Sequence, residues 1–411
     1  MEINIIRRQS RNKKLFFILL ISLFVFSQEL REGILGNTLG AINILSIFSV
    51  SILVLNNFKE LNKRNFILFY IVILIYVFTA SLYEDSFFTI IKCIISFTFP
   101  LLLVFTKVDE NTIKNIFRTT VKILNIVIII ITIIGIFEIL LGININNYIS
   151  KFMSERTQAQ IIANSMSESK KRLYSFLGHP LFNTQLYLMF LVLNILYDKY
   201  FMQKRCSVWV LVAATIGVAF TGSKTGFVLL CFSILVLFES KHGINKILLI
   251  IVGMFGAFKA GLFDTLIYRF TSGSLTSGRT EKWNEIQSMN IYPIKFLTGY
   301  GNGFTFILNS YVSWASAAFE YPFRMFSLEM GILMTIMIYI FIALIPIVTL
   351  IKRRHWYVLT CYLIVFLDIN TFNGIALLGD KMMILNLFIF LIYNLSNYIR
   401  ESSIVETEES V

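Results

Sequence analysis

Charge is scarce in this chain. Only 15% of its 411 residues are charged, against 56% hydrophobic, whereas a soluble domain carries about 25% charged residues. Water is therefore excluded as the main solvent. Cysteine is far scarcer: Cys93, Cys206, Cys231 and Cys361 lie in or beside apolar runs without CxxC spacing, and His179, His242 and His355 are far apart. That pattern indicates neither a disulfide framework nor a zinc site, and no metal or cofactor is expected. With 5 prolines and no internal repeat, a Pro-rich linker and a repeat array are also excluded. No small-residue cleavage site follows the basic start (Arg7, Arg8, Arg11, Lys13, Lys14) and the apolar stretch Leu15 to Ser27, so this segment is expected to be an uncleaved signal anchor.

What is abundant is apolar sequence in runs about as long as a bilayer core is thick. They predict an all-α integral membrane protein of about 12 transmembrane helices, at 14–28, 34–55, 66–82, 87–105, 121–142, 181–198, 207–221, 224–239, 246–263, 324–350, 356–372 and 382–398. The net charge of +12 gathers at the ends of these runs, so it reads as an orientation signal and not as a nucleic-acid surface. A cytoplasmic N-terminus places Lys59, Lys63 and Arg64, Lys107, Lys114 and Arg118, Lys199, Lys204 and Arg205, Lys241 and Lys246, and Lys352 to Arg354 on the cytoplasmic side. The opposite turns are short and neutral or acidic, as at Glu84 and Asp85. Two long segments, 143–180 and 264–323, are then extracytoplasmic loops, where function is expected to reside. Residues 1–398 read as one membrane domain and 399–411 as a disordered cytoplasmic tail.

In the first long loop, Lys170, Lys171 and Arg172 precede Gly178, His179 and Pro180. Such cations hold anionic headgroups; the alternative is a clamp for a lipid diphosphate, for which Arg172 supplies a bidentate fork. Thr221-Gly-Ser-Lys224-Thr225-Gly226 joins two spans almost without a loop. Lys224 there either snorkels to water or meets a diphosphate beside the N-terminus of the next helix. The likeness of this turn to the end of a Walker A motif is spurious, because the upstream glycine pattern is missing.

In the second long loop, Thr276 to Trp283 predict a capped amphipathic helix with Arg279, Trp283 and Ile286 on one face. Trp283 there serves as an interfacial anchor or as a surface on which a sugar stacks. Gly299, Gly301 and Gly303 alternate in a turn that permits close backbone approach. Glu320, Tyr321, Pro322, Phe323 and Arg324 then open the tenth span, with Glu329 inside it. Arg324 and Glu329 form either a structural pair or part of a functional site, since ionisable groups within a span are expensive. Lys92, Glu138 and Lys259 are further charges inside spans, and Glu138 and Lys259 are expected to snorkel.

Four blocks (Arg172 through Gly178 with Pro180 and Asn183; Thr221 through Thr225; Ser277, Gly278, Arg279 and Trp283 with Gly299, Tyr300 and Gly301; and Glu320 through Gly331) together resemble the O-antigen polymerase and O-antigen ligase superfamily of bacterial membrane proteins. The resemblance covers most of the chain by topology. It implies a fold similar to the C-type membrane glycosyltransferases (GT-C-like), and inverting, metal-independent glycosyl transfer between undecaprenyl diphosphate-linked oligosaccharides. Arg172, Lys224 and Arg279 would bind diphosphate, and Arg324, Glu320 and Glu329 would lie near the reacting sugars. Here Lys224 replaces the family's usual Arg, and Glu320 stands near the place where ligases tend to have His; the second departure favours a polymerase.

The residues support that chemistry independently: fixed cations stabilise the charge on a departing diphosphate, and Glu320, or His179 as its rival, takes the acceptor proton. The expected setting is the bacterial plasma (inner) membrane, with both termini cytoplasmic and O-antigen or capsule as the product. Expected partners are membrane lipids, the lipid-linked oligosaccharide, a chain-length regulator and a flippase, and not nucleic acid. The alternatives are an O-antigen ligase or another lipid-linked glycosyltransferase, including one using Glu84 and Asp85 as base and metal ligands. A flippase or secondary transporter is the third reading, although it calls for repeated halves and broken helices.

Overall fold

The computed structural model describes residues 2–58, 61, 63–83, 86–166, 171–237, 264–271, 278–372 and 374–409. Helices account for every regular element among them. Among the described residues, five helical stretches are long and apolar enough to cross a membrane: Phe87–Phe105, Glu110–Leu140, Pro180–Tyr200, Ile332–Lys352 and Lys381–Glu401. Shorter apolar helices occupy Ile44–Asn56, Phe66–Leu82, Val208–Thr221, Lys224–Leu237 and Trp356–Thr371. At 1.5 Å per residue a helix of 14 residues such as Val208–Thr221 reaches about 21 Å, short of a hydrocarbon core of about 30 Å. The ninth expected span, 246–263, lies outside the described residues.

The chain divides into two compact units. The first combines Met1–Leu19, Ile42–Ile116 and Ser274–Val411. Its central helix is Lys381–Glu401, 78% buried, and the abundant phenylalanines build the packing around it. Phe16 meets Phe390 at 5.5 Å and Tyr362 lies parallel to Phe388 at 6.3 Å. Asn394 secures the chain where the Leu102–Phe105 turn ends, donating Nδ2 to the Thr106 carbonyl (3.1 Å) and accepting from Val108 N–H (3.0 Å). Phe78 (63% exposed) and Phe87 (79%) point outward, as lipid-facing side chains do.

The second unit combines Leu20–Ala41 with Phe117–Gly273. Here Pro180–Tyr200 is central, 83% buried. Tyr187 on it hydrogen-bonds Thr132 at 2.8 Å, and its ring occupies the space a Cβ on Gly217 would need. Small residues thus let the neighbouring helix approach closely.

Three expectations are corrected. The run 34–55 is broken: Gly36 adopts φ +81° and the long helix begins only at Ile44, where Asn43 caps it by accepting from Ser46 N–H at 3.0 Å. The run 324–350 is also divided, because Gly331 (φ +84°) separates Pro322–Glu329 from the apolar helix that follows. Finally, the final helix runs on to Glu409 instead of ending at a disordered tail. Between Glu401 and Glu409 there is no Gly or Pro to stop it and four good helix formers to extend it.

Candidate functional site

Within the second unit, the loop before Pro180 is fastened to its own helix. Asn183 donates Nδ2 to the carbonyls of Leu173 (2.8 Å) and Tyr174 (2.9 Å) and accepts from Ser175 Oγ (2.8 Å). Asn164 exchanges two bonds of 3.0 Å with the Arg172 backbone. So held, Arg172 extends its guanidinium to the end of the Val208–Thr221 helix, where Nε donates to the Thr221 carbonyl at 2.7 Å. The neighbouring Gly222 carbonyl accepts from Arg269 Nη1 at 2.5 Å.

The turn itself is set by Gly222 in the left-handed region (φ +62°) and by Ser223, whose Oγ accepts from Gly226 N–H at 3.1 Å. Lys224 follows, 9% exposed, with Nζ 5.7 Å from the Phe270 ring centre. Arg172, Lys224 and Arg269 therefore converge on one turn, at the negative end of one helix dipole and beside the N-terminus of the next. Arg269 escaped the sequence reading; its only local signal is the flanking pair Tyr268 and Phe270. Lys170 lies outside the described residues.

His179, half-buried, caps the Pro180–Tyr200 helix, its Nδ1 accepting from Leu181 N–H at 3.3 Å, between Phe182 (5.6 Å) and Tyr174 (6.4 Å). Burial raises the Tyr174 hydroxyl above its ordinary pKa, with Arg172 opposing. It is a neutral phenol at physiological pH.

The first unit holds a second cluster. Arg279 opens the Arg279–Ser288 helix and its Nε donates to Glu320 Oε2 at 2.5 Å, with Nη2 on the same oxygen. Arg324 sits over the Tyr321 ring (4.5 Å) and the Trp283 ring (5.3 Å), and its Nη1 donates to the Arg279 carbonyl at 3.1 Å. Cationic and aromatic residues about forty positions apart in sequence thus form one patch, with the Glu320 side chain 39% exposed at its margin. The expected cap at Thr276 and Ser277 lies outside the described residues; the helix follows Gly278 (φ +81°) without a side-chain cap.

Glu329 is placed elsewhere in that unit. It is 3% exposed and accepts from Thr305 N–H at 3.2 Å and from Thr305 Oγ1. The glycine turn pairs with the same segment: Tyr300 N–H donates to the Leu328 carbonyl (2.8 Å) and Gly301 N–H to that of Glu329 (3.1 Å). A Cβ on Gly299 would lie 2.1 Å from the Glu329 carbonyl, so the close approach read from the sequence occurs here. Arg324 and Glu329 have separate partners and are not the pair considered above.

Lys92 lies 4.3 Å from the Phe88 ring centre. Glu138 does not snorkel, being 1% exposed and engaged with backbone N–H groups. Glu84, Asp85 and Lys259 lie outside the described residues. No family model, curated protein or solved structure matches the chain.

Proposed function

We propose that this protein extends a lipid-linked polysaccharide in the bacterial plasma membrane, as a repeat-unit polymerase for O-antigen or capsule. It transfers an undecaprenyl diphosphate-linked glycan onto a second lipid-linked repeat unit on the outer face. The observation that carries the reading is the convergence of Arg172, Lys224 and Arg269 on the Thr221–Gly222 turn, at the end of an apolar helix. A diphosphate at the membrane surface is the anion such a cluster suits, because a lipid tail holds it at that depth and fixed cations stabilise it most as charge accumulates on leaving.

In the reaction an acceptor hydroxyl attacks the anomeric carbon of the donor glycan. The new glycosidic C–O bond forms as the bond from that carbon to the diphosphate oxygen breaks, and the diphosphate departs with the bonding electrons. The proton passes to a base, for which the sequence offers the carboxylate of Glu320 and, as its rival, the imidazole of His179. Within the first unit, Trp283 and Tyr321, each beside Arg324, offer faces on which a sugar stacks. Fixed cations supply the stabilisation, so the reading calls for no metal. The fold it implies is GT-C-like, with about twelve spans and both termini cytoplasmic.

The test is a strain from which the gene has been deleted. It is expected to accumulate exported lipid carrying single repeats and to make no long polymer, with length restored by the wild-type gene and not by Arg172→Gln combined with Arg269→Gln at equal protein level. Long polymer in the deleted strain overturns the proposal. Single repeats trapped on the cytoplasmic face would instead identify a flippase.

A further inference from the structure

The Glu110–Leu140 span ends in a π-helical turn, Ile136–Leu140, with Glu138 at its centre. Single π turns recur at functional sites because they displace one side chain from the helical register. Glu138 is 1% exposed and its Oε2 accepts from Asn146 N–H at 3.0 Å, with Ile145 N–H also directed at the carboxylate and Lys171 near enough to act on it electrostatically. Asn146 is itself 1% exposed. Among the described residues, neither its Nδ2 nor its Oδ1 has a hydrogen-bond partner, and the Oδ1 of Asn147 is likewise buried without one. An amide buried in that state is a cost that a folded protein rarely carries without a use.

The location gives this buried pair its meaning. Gly135, one turn before Glu138, packs against the ring of Phe220 and the side chain of Leu173, whose backbones are joined by a 3.0 Å hydrogen bond. Phe220 adjoins Thr221 and Leu173 adjoins Arg172, so the Glu138–Asn146 pair and the cationic turn are neighbours within one unit. A carboxylate accepts from hydroxyls, and a primary amide both donates and accepts. Together they suit vicinal hydroxyl groups and offer little to an apolar ligand.

We propose that Glu138 and Asn146 form a hydroxyl-recognising subsite for the sugar joined directly to the diphosphate of the lipid carrier. The inference rests on the diphosphate reading of the Arg172, Lys224 and Arg269 cluster and adds to it a residue pair that selects the first sugar. Leu141 (60% exposed), Ile143 (48%) and Tyr148 (67%), which flank the pair in sequence, have little protein against them, so the sugar approaches from their side.

The experiment measures binding to the full chain in lipid nanodiscs. The probes are undecaprenyl diphosphate alone and undecaprenyl diphosphate bearing one hexose or one N-acetylhexosamine. The wild type is expected to bind at least one sugar-bearing lipid about tenfold more tightly than the bare diphosphate lipid, the size of one good polar contact. Asn146→Leu is expected to abolish that increment, to leave bare-lipid binding unchanged and to be at least as heat-stable as the wild type, because it removes an unpaired buried amide. Glu138→Gln should also lose the increment. If the wild type shows no sugar increment, or Asn146→Leu keeps it, the buried pair serves only packing or an internal water and the proposal is overturned. Failure of the wild type to bind bare undecaprenyl diphosphate would instead defeat the underlying reading, and the subsite would fall with it.

Discussion

The Arg279–Glu320 pair allows structure and chemistry to be separated by one set of variants. Arg279 has 12% of its side chain exposed and Glu320 39%, so the pair is neither a solvated surface contact nor a sealed ion pair. Exposed pairs contribute about 0.2–1 kcal/mol, and removing one partner from a fully buried pair costs about 3–5 kcal/mol. An intermediate value of about 1–2 kcal/mol is expected for Arg279→Gln or Glu320→Gln alone. Arg324 grips the backbone carbonyl of residue 279, so that contact survives both changes. The double variant should be less destabilised than the sum of the singles by a coupling energy of about 1 kcal/mol. The assay is thermal unfolding of purified protein in detergent, followed on all four forms under one condition. Turnover is measured on the same samples: with Glu320 as the base, Glu320→Gln should lower it by about 10²–10⁴-fold, far more than a stability loss of this size explains. Additive singles, with coupling below about 0.3 kcal/mol, would refute the pair itself. Normal coupling with unimpaired turnover would leave the pair structural and move the base elsewhere.

Two further predictions are independent of function. Gly299→Ala places a methyl group 2.1 Å from the Glu329 carbonyl, where backbone, not a movable side chain, must yield; a loss of about 3 kcal/mol or failure to accumulate is expected, and near-normal expression and melting would show that the turn does not lie against that segment. His355 is held at Ser396 (2.8 Å), and burial, reinforced by Arg353, lowers its pKa below the ordinary value of 6.5. The unfolded chain therefore binds this proton more readily, so the contribution is complete above about pH 6.5 and is lost as pH falls toward the depressed folded value. Melting temperature should fall between pH 7.5 and 5.5 less steeply in His355→Gln than in the wild type, and equal slopes would contradict the assignment.

The parts of this molecule that were legible in the sequence share one property: their cause is local. Long apolar runs specify helices wherever they occur, and Pro180–Tyr200 and Trp356–Thr371 follow their expected bounds within a residue or two. Gly299 also declares itself, because it stands in a run of alternating glycines. Breaks depend on what lies across from them. Gly331 looks like any glycine in an apolar run until Thr298 is placed 2.9 Å from where its Cβ would be. The same limit hid Arg269, which is one basic residue in a polar loop until its contact with the Gly222 carbonyl gives it a position.

Glu138 shows how a sound local rule can lead to the wrong geometry. A carboxylate in an apolar run must find water or donors, and the sequence reading chose water, because Glu138 stands near the end of its span. The alternative lay eight residues ahead. Gly142 turns the chain back in the left-handed region, and the start of the Ile145–Ser150 helix brings backbone N–H groups to the carboxylate. A backbone donor carries no side-chain signature, so nothing in the residue type at 146 reveals that it will serve. The tract Gly142-Ile-Asn-Ile-Asn-Asn147 does carry a weaker signal, three amides directly after an apolar span. Amides at a membrane boundary can satisfy themselves in water at no cost, so burying Asn146 with its side-chain amide unpaired requires a compensating gain. A packing role would be met as well by leucine, which is why the stability and the sugar affinity of Asn146→Leu are expected to move in opposite directions.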